Sequence, residues 1–193
     1  MTGVVLCGGN STRMGSDKGL LKEEDETWAE LAARKLAALG LPVVVSVNPR
    51  QAPMYEAIFG KEKLVVDEES ISIDGPLLGI LSVHRQLPEE DLVVLACDMK
   101  EVTTDLLLEL CNKAKSGKQQ AAVFSTAGKL QPLCGIYTSR GLSQIDRLWQ
   151  EGKLPRFSMM AVLETLQAQV IPVLEEDLVL FKNYNSPDDV SSD

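Results

Sequence analysis

The 193-residue chain has one histidine, His84, and four cysteines, Cys7, Cys97, Cys111 and Cys134, none of them in a C-x-x-C pair. That poverty argues against a structural zinc site. No apolar run reaches the ~18–20 residues that cross a bilayer. Met1 to Cys7 is too short for the apolar part of a signal peptide and has no basic start. The expected setting is therefore the cytoplasm, with reduced thiols and no membrane partner. Neither G-x-x-x-x-G-K-[ST] nor G-x-G-x-x-G occurs, which removes the P-loop and weakens a dinucleotide dehydrogenase. Positive charge is in the minority, with 19 basic against 28 acidic residues and a net charge of −9. Such a surface repels phosphate backbones and excludes a general nucleic-acid binder. Arg13, Lys18 and Lys22 nevertheless outweigh Asp17 within the first 22 residues. A local cationic stretch in an acidic protein suits a small anionic ligand.

What is present describes an ordinary folded chain, 45% hydrophobic and 24% charged. The length fits a single domain over residues 1–193, without repeats or low-complexity linkers. Strand-like runs fall at Gly3–Cys7, Pro42–Val47, Leu64–Val66, Asp91–Cys97, Ala121–Ser125, Leu133–Tyr137 and Gln169–Val173. Helical patterns cover Thr27–Leu39, Pro76–Leu87, Thr103–Ser116, Gly141–Glu151 and Phe157–Leu166, with Thr103 or Thr104 as an N-cap. Continuous apolar strands imply burial on both faces, and intervening helices imply right-handed crossovers. The prediction is a three-layer α/β/α Rossmann-like domain with a mostly parallel sheet and one antiparallel strand late in the chain. Ligands in such sheets bind beyond the carboxyl ends of the strands. The residues that follow Cys7, Val47, Val66 and Cys97 thus become the candidates.

The first of these stretches is Leu6-Cys7-Gly8-Gly9-Asn10-Ser11-Thr12-Arg13-Met14-Gly15-Ser16-Asp17-Lys18-Gly19-Leu20-Leu21. Its glycines let backbone N–H groups approach an anion, and Arg13 and Lys18 add fixed charge. The alternative is a Gly/Ser loop with solvated cations. The pattern L-x-G-G-x-S-x-R-M-G-x-D-K-x-L-L resembles the signature of molybdenum cofactor guanylyltransferases, within the wider class of Gly-rich-loop nucleotidyltransferases. Asp74–Ile80 (DGPLLGI), Cys97-Asp98-Met99, Gln131–Tyr137 (QPLCGIY) and Phe181–Asp188 (FKNYNSPD) follow in the family's order.

That resemblance implies transfer of GMP from GTP to the terminal phosphate of molybdopterin, releasing pyrophosphate. It implies Mg²⁺ held by Asp98, with Arg13 and Lys18 on the phosphates. Nucleotide contacts are implied from Leu6, Cys7, Gly8 and Gly9, and from Asn48, Asp67 and Gly75 together with Lys18 and Asp98. Acceptor contacts are implied from Gln131, Asn183 and Asn185. Molybdoenzyme chaperones are the implied recipients of product.

Several residues keep a plain alternative. Asn48 could simply shape the turn before Pro49, Gly75 the turn before a helix, and Asp98 a cap toward Thr103. The chain departs from the family at Cys7, Leu78, Lys100 and Gly135, and Lys22–Thr27 lacks the usual turn glycine. None of these changes removes a charge the chemistry needs. If the first and fourth strands are neighbours, Cys7 and Cys97 lie close, either as a redox pair or as two small buried cysteines. Two other functions stay open. One is a cytidylyltransferase acting on molybdopterin or on a sugar or polyol phosphate. The other is a nucleotide-binding module without turnover.

Overall fold

In the computed structural model of the chain, residues 1–8, 17–114 and 119–182 are described. The first apolar run forms β1 (Thr2–Leu6). After it come a 3₁₀ turn at Lys18–Leu20, a small hairpin of β2 (Lys22–Glu23) and β3 (Glu26–Thr27), and α1 (Trp28–Ala37). Then follow β4 (Val43–Val47), α2 (Ala52–Phe59), β5 (Leu64–Val66), α3 (Pro76–Gln86), β6 (Leu92–Ala96) and α4 (Thr104–Ala114). The second part contains β7 (Ala121–Thr126), β8 (Lys129–Tyr137), α5 (Ser139–Gln150), α6 (Met159–Thr165) and β9 (Gln169–Pro172).

Seven strands make one sheet in the order β5-β4-β1-β6-β8-β7-β9. β5, β4, β1 and β6 pair in parallel, β8 runs antiparallel to both β6 and β7, and β9 is parallel to β7. The expected single reversed strand is therefore β8. Alternation along β1 shows why the sheet is covered on both faces. Val5 and Cys7 enter one core with Ala32 and Leu36 of α1, Tyr55 of α2 and Leu107 of α4. Val4 and Leu6 enter the other with Leu77 and Ile80 of α3, Leu142 of α5 and Val162 of α6. Residues of both sets are fully or nearly fully buried. Among the described residues, no helix is long and apolar enough to cross a membrane.

Three elements differ from the sequence reading. α2 was not anticipated, because eight residues carrying Pro53 hold too little periodicity. β8 begins four residues earlier than Leu133, because Ala127 and Gly128 both take positive φ (47° and 80°) and close a tight hairpin with β7. The charged stretch Lys22–Thr27 folds as the β2–β3 hairpin, where Glu24 takes the left-handed φ of 56° that a glycine would take easily. Thr103 proves to be the residue capping α4, its hydroxyl accepting from the Leu106 N–H. The anticipated end of that helix, Ser116, lies outside the described residues.

Candidate active site

The parallel half of the sheet delivers its strand ends to one edge, and backbone ladders continue just past each strand. Cys7 N donates to the Ser46 carbonyl at 3.0 Å, Cys97 N to that of Leu6 at 3.1 Å, and Asp67 N to that of Val47 at 2.9 Å. The residues after β1, β4, β5 and β6 are thus fixed by the same hydrogen bonds that hold the sheet. Met99 N donates to the Ala96 carbonyl at 3.1 Å, closing a turn that turns Asp98 out of the strand.

Asp98 accepts a 2.9 Å hydrogen bond from the ammonium of Lys18, 80 residues away in sequence. Both side chains are mostly shielded, at 17% and 21% exposure for Lys18 and Asp98. The carboxylate therefore joins the cationic stretch after β1 and does not cap toward Thr103. Beside it, Cys7 and Cys97 are both buried and free. The neighbouring Cys7 thiol and burial push the Cys97 thiol well above its usual range, so it is a thiol at neutral pH.

Two strands along, a cleft of about 480 Å³ is lined by Asn48, Asp67, Glu68, Ile71, Asp74 and Leu78 among others. Asn48 performs its turn role: its side-chain oxygen accepts from the N–H groups of Arg50 and Gln51, at 2.9 and 3.1 Å. The same residue also faces the cleft. Asp67 is the unusual group there. Burial pushes its carboxyl up to about 6, and its Oδ1 is enclosed without a hydrogen-bond partner. Its Oδ2 lies 3.6 Å from where a Cβ on Gly8 would stand, so the carboxylate leans toward the loop after β1. Ser46 Oγ, also buried and unpartnered, lies 2.5 Å from the position of a Cβ on Gly79. Only glycine lets α3 approach this strand so closely. Gly75 stands just before α3 with φ +79° and open space around its Cβ position, so its backbone conformation is what demands glycine.

Leu6 and Cys7 sit at the buried end of β1. Gln131 on β8 donates to Thr126 Oγ1 at 2.6 Å. Because β8 runs antiparallel with Cys134 opposite Leu95, Gln131 lies toward the same carboxyl edge as Asp98. Gly9, Arg13, Asn183 and Asn185 lie outside the described residues.

Some groups around the site gave no sequence signal. Asp17 accepts from Gln51 and Tyr55, which are 34 and 38 residues further on. Lys100 pairs with Glu23 at 3.0 Å and lies 5.9 Å from the centre of the Trp28 ring. It ties the β2–β3 hairpin to the segment after Asp98.

Among the described residues, no group of three or more His, Cys, Asp and Glu side chains is arranged to hold a metal ion. The Asp98 carboxylate fits a different mode. Mg²⁺ commonly takes one or two protein carboxylates and completes its shell with water and substrate phosphate oxygens.

Comparison with known proteins shows the family. Residues 3–170 match the family described as the MobA-like NTP transferase domain. The probable molybdenum cofactor guanylyltransferase of Geobacillus sp. is 29% identical over 98% of this chain and 95% of its own length. The molybdenum cofactor guanylyltransferase of Pseudomonas putida is 32% identical over 96% of this chain and 93% of its own. Molybdopterin-guanine dinucleotide biosynthesis protein A from Archaeoglobus fulgidus superposes with a TM-score of 0.78 at 22% identity, covering 99% and 95% of the two chains. The Rossmann-like fold is thus shared, and the chain belongs to the MobA-like NTP transferase family.

Proposed function

We propose that this chain, acting as one nucleotidyltransferase domain, transfers GMP from GTP to the terminal phosphate of molybdopterin. The observation that carries this reading is the Lys18–Asp98 pair standing on the same edge as the Asp67 cleft. In the strand order, β5 and β6 are three spacings apart. At ~4.8 Å per spacing this is about 14 Å, the span of an extended nucleoside triphosphate with its base at β5 and its phosphates at β1 and β6.

A terminal phosphate oxygen of the acceptor attacks the α-phosphorus of GTP, and the bond to the β-phosphate bridging oxygen breaks. The electron pair leaves with pyrophosphate. A phosphomonoester has its second pKa near ~6, so the nucleophile is already largely ionised and needs no general base. This agrees with a site that holds no histidine. The protein's tasks are to neutralise the gathered negative charge and to align the reacting groups. Lys18, and Arg13 in the same stretch, meet the phosphates. Asp98 would hold Mg²⁺, which supplies charge neutralisation at the transferred phosphoryl group when bound.

Asp67 supports guanine over cytosine. A buried carboxylate without a partner is costly, and donors on the ligand remove that cost. Guanine offers N1–H and the exocyclic amine as two neighbouring donors toward a carboxylate, whose Oδ2 leans toward the loop after β1. Cytosine offers one donor next to an acceptor, which a carboxylate repels. The implied setting is the cytoplasm, with chaperones of molybdoenzymes as recipients of product.

The test combines thermal unfolding with GTP, CTP, ATP and UTP, with and without Mg²⁺, and pyrophosphate release in the presence of molybdopterin. Nucleotide at about a hundred times its Kd stabilises by ~2.7 kcal/mol. A GTP-selective shift together with acceptor-dependent pyrophosphate release supports the reading. A CTP-selective shift replaces it with the cytidylyltransferase, and nucleotide binding without turnover replaces it with the binding module.

A further inference from the structure

The segment that carries Lys18 to Asp98 is held from outside the loop. Asp17 immediately precedes Lys18, and its carboxylate is a hub for three donors. Oδ1 accepts from Gly19 N at 3.0 Å and from the Tyr55 hydroxyl at 2.9 Å. Oδ2 accepts from Gln51 Nε2 at 2.6 Å. The same Gln51 nitrogen donates to the Cys7 carbonyl at 2.9 Å, at the end of β1. Gln51 Oε1 accepts from Asn48 N at 3.0 Å. One side chain therefore joins the end of β1, the cationic segment and the turn after β4.

Gln51 and Tyr55 are 6% and 0% exposed, and the fit over the loop is close. A Cβ on Gly19 would stand 2.1 Å from the Tyr55 hydroxyl, so the loop passes directly beneath it. Burial, before any other cause, drives the Tyr55 hydroxyl far above its usual range, and it stays a donor at neutral pH. A carboxylate is the natural hub because it only accepts and offers several lone pairs to fixed donors.

We propose that Gln51 and Tyr55 are positioning residues for nucleotidyl transfer: acting through Asp17, they set the backbone at Lys18 so that its ammonium faces Asp98. This inference rests on the functional reading above. Lysine is long and rotamer-rich, so its aim depends on where its Cα is anchored. The phosphate-facing cation is thus aimed by side chains at the start of α2 and within it.

Tyr55→Phe removes the hydroxyl and keeps the ring in the core. The protein is labelled with ¹³C at lysine Cε, and the Lys18 signal is identified by its loss in Lys18→Arg. In Tyr55→Phe that signal is expected to move toward the position it takes in Asp98→Asn. The kcat for pyrophosphate release should fall roughly ten- to hundredfold, the cost of a small misplacement, while KM for GTP changes by less than about threefold. In a Lys18→Ala background, Tyr55→Phe should change kcat by less than about twofold, because the two residues act as one unit.

An unmoved Lys18 signal in folded Tyr55→Phe overturns the proposal. So does an equal loss of kcat with and without Lys18, which would mark a merely structural role. If Tyr55→Phe does not fold, Asp17→Asn is read by the same two criteria. A parent protein that releases no pyrophosphate ends the functional reading alone, and the Lys18 signal still decides the positioning.

Discussion

The two halves of the sheet are paired differently and used differently. In the parallel half, β5, β4, β1 and β6 all point the same way, so the residues after them gather at one edge. Asn48, Asp67, Gly8 and Asp98 stand there. In the other half, the β7–β8 hairpin turns the chain back and its polar groups find each other. The Tyr137 hydroxyl donates to the Pro132 carbonyl at 2.7 Å, and Gln131 donates to Thr126. Asp67, by contrast, keeps a buried oxygen unpartnered. Among the described residues, the buried oxygens of Ser46 and Asp67 are left without partners at the parallel edge; in the other half the β7–β8 hairpin groups are paired, and Gln169 Oε1 of β9 is the one left without.

The comparison is broken most severely by changing the charged pair. Asp98→Asn should lower the rate of pyrophosphate release by about two to three orders of magnitude, the usual effect of removing one group that organises developing charge. The melting temperature should move little, because the partner Lys18 is partly in contact with solvent. A parent-like rate would remove Asp98 from the chemistry.

Asp67→Asn should weaken GTP roughly ten- to a hundredfold in calorimetry, the value of hydrogen bonds to a charged group. Its effect on stability has the opposite sign. The folded carboxyl sits at about 6 against an ordinary 3.8, so the ionised form destabilises the fold. That penalty is absent below the unfolded value, grows between the two, and is complete above about pH 6. Allowing for solvent screening, removing it should stabilise by about 1–2 kcal/mol at neutral pH and by nothing near pH 3. Melting curves of both proteins across this range check the sign.

Two glycine-to-alanine changes sharpen the contrast between the halves. The Cβ of Gly135→Ala would stand 2.6 Å from Val123 Cγ1 and 3.0 Å from the Ala122 carbonyl. It should destabilise by about 1–3 kcal/mol and leave GTP affinity unchanged. Gly79→Ala would press on Ser46 Oγ at 2.5 Å and approach Asp67 Oδ1 at 3.5 Å, so it should weaken GTP as well as the fold. Equal effects on binding from both changes would erase the distinction. The smallest effect is expected at Gln131→Ala: a loss of about 1 kcal/mol from the hairpin hydrogen bond, with a several-fold rise in KM for the acceptor and none for GTP.

Much of the fold was legible because buried parallel strands write themselves as unbroken apolar runs. Leu64–Val66 coincides with its strand, and Asp91–Cys97 contains β6 with one residue to spare at each end. α2, the β2–β3 hairpin and the start of β8 were not legible. Their conformations come from a short helix docked through Tyr55, a turn at Glu24 and a turn at Ala127–Gly128, none of which leaves a hydrophobic period. At the site, the roles of Lys18 and Asp98 rested on a motif, whereas the placement of Asp67 and Asp98 followed from their standing just past a strand. Gln51 and Tyr55 were invisible because their partner is Asp17, far away along the chain.

The sequence by itself determined that the chain would form a two-faced, mostly parallel sheet. Apolar strands that alternate with amphipathic helices have few other ways to bury both faces. It also determined which residue types lie just past each strand. Only the tertiary structure decided that Lys18 meets Asp98, that Asp67 is left with an unanswered oxygen, and that a helix outside every motif holds the cationic segment in place. Those outcomes depend on strand order and on close approach at Gly19 and Gly79. Neither is written in local periodicity, because each arises when segments distant in sequence are brought to the same edge.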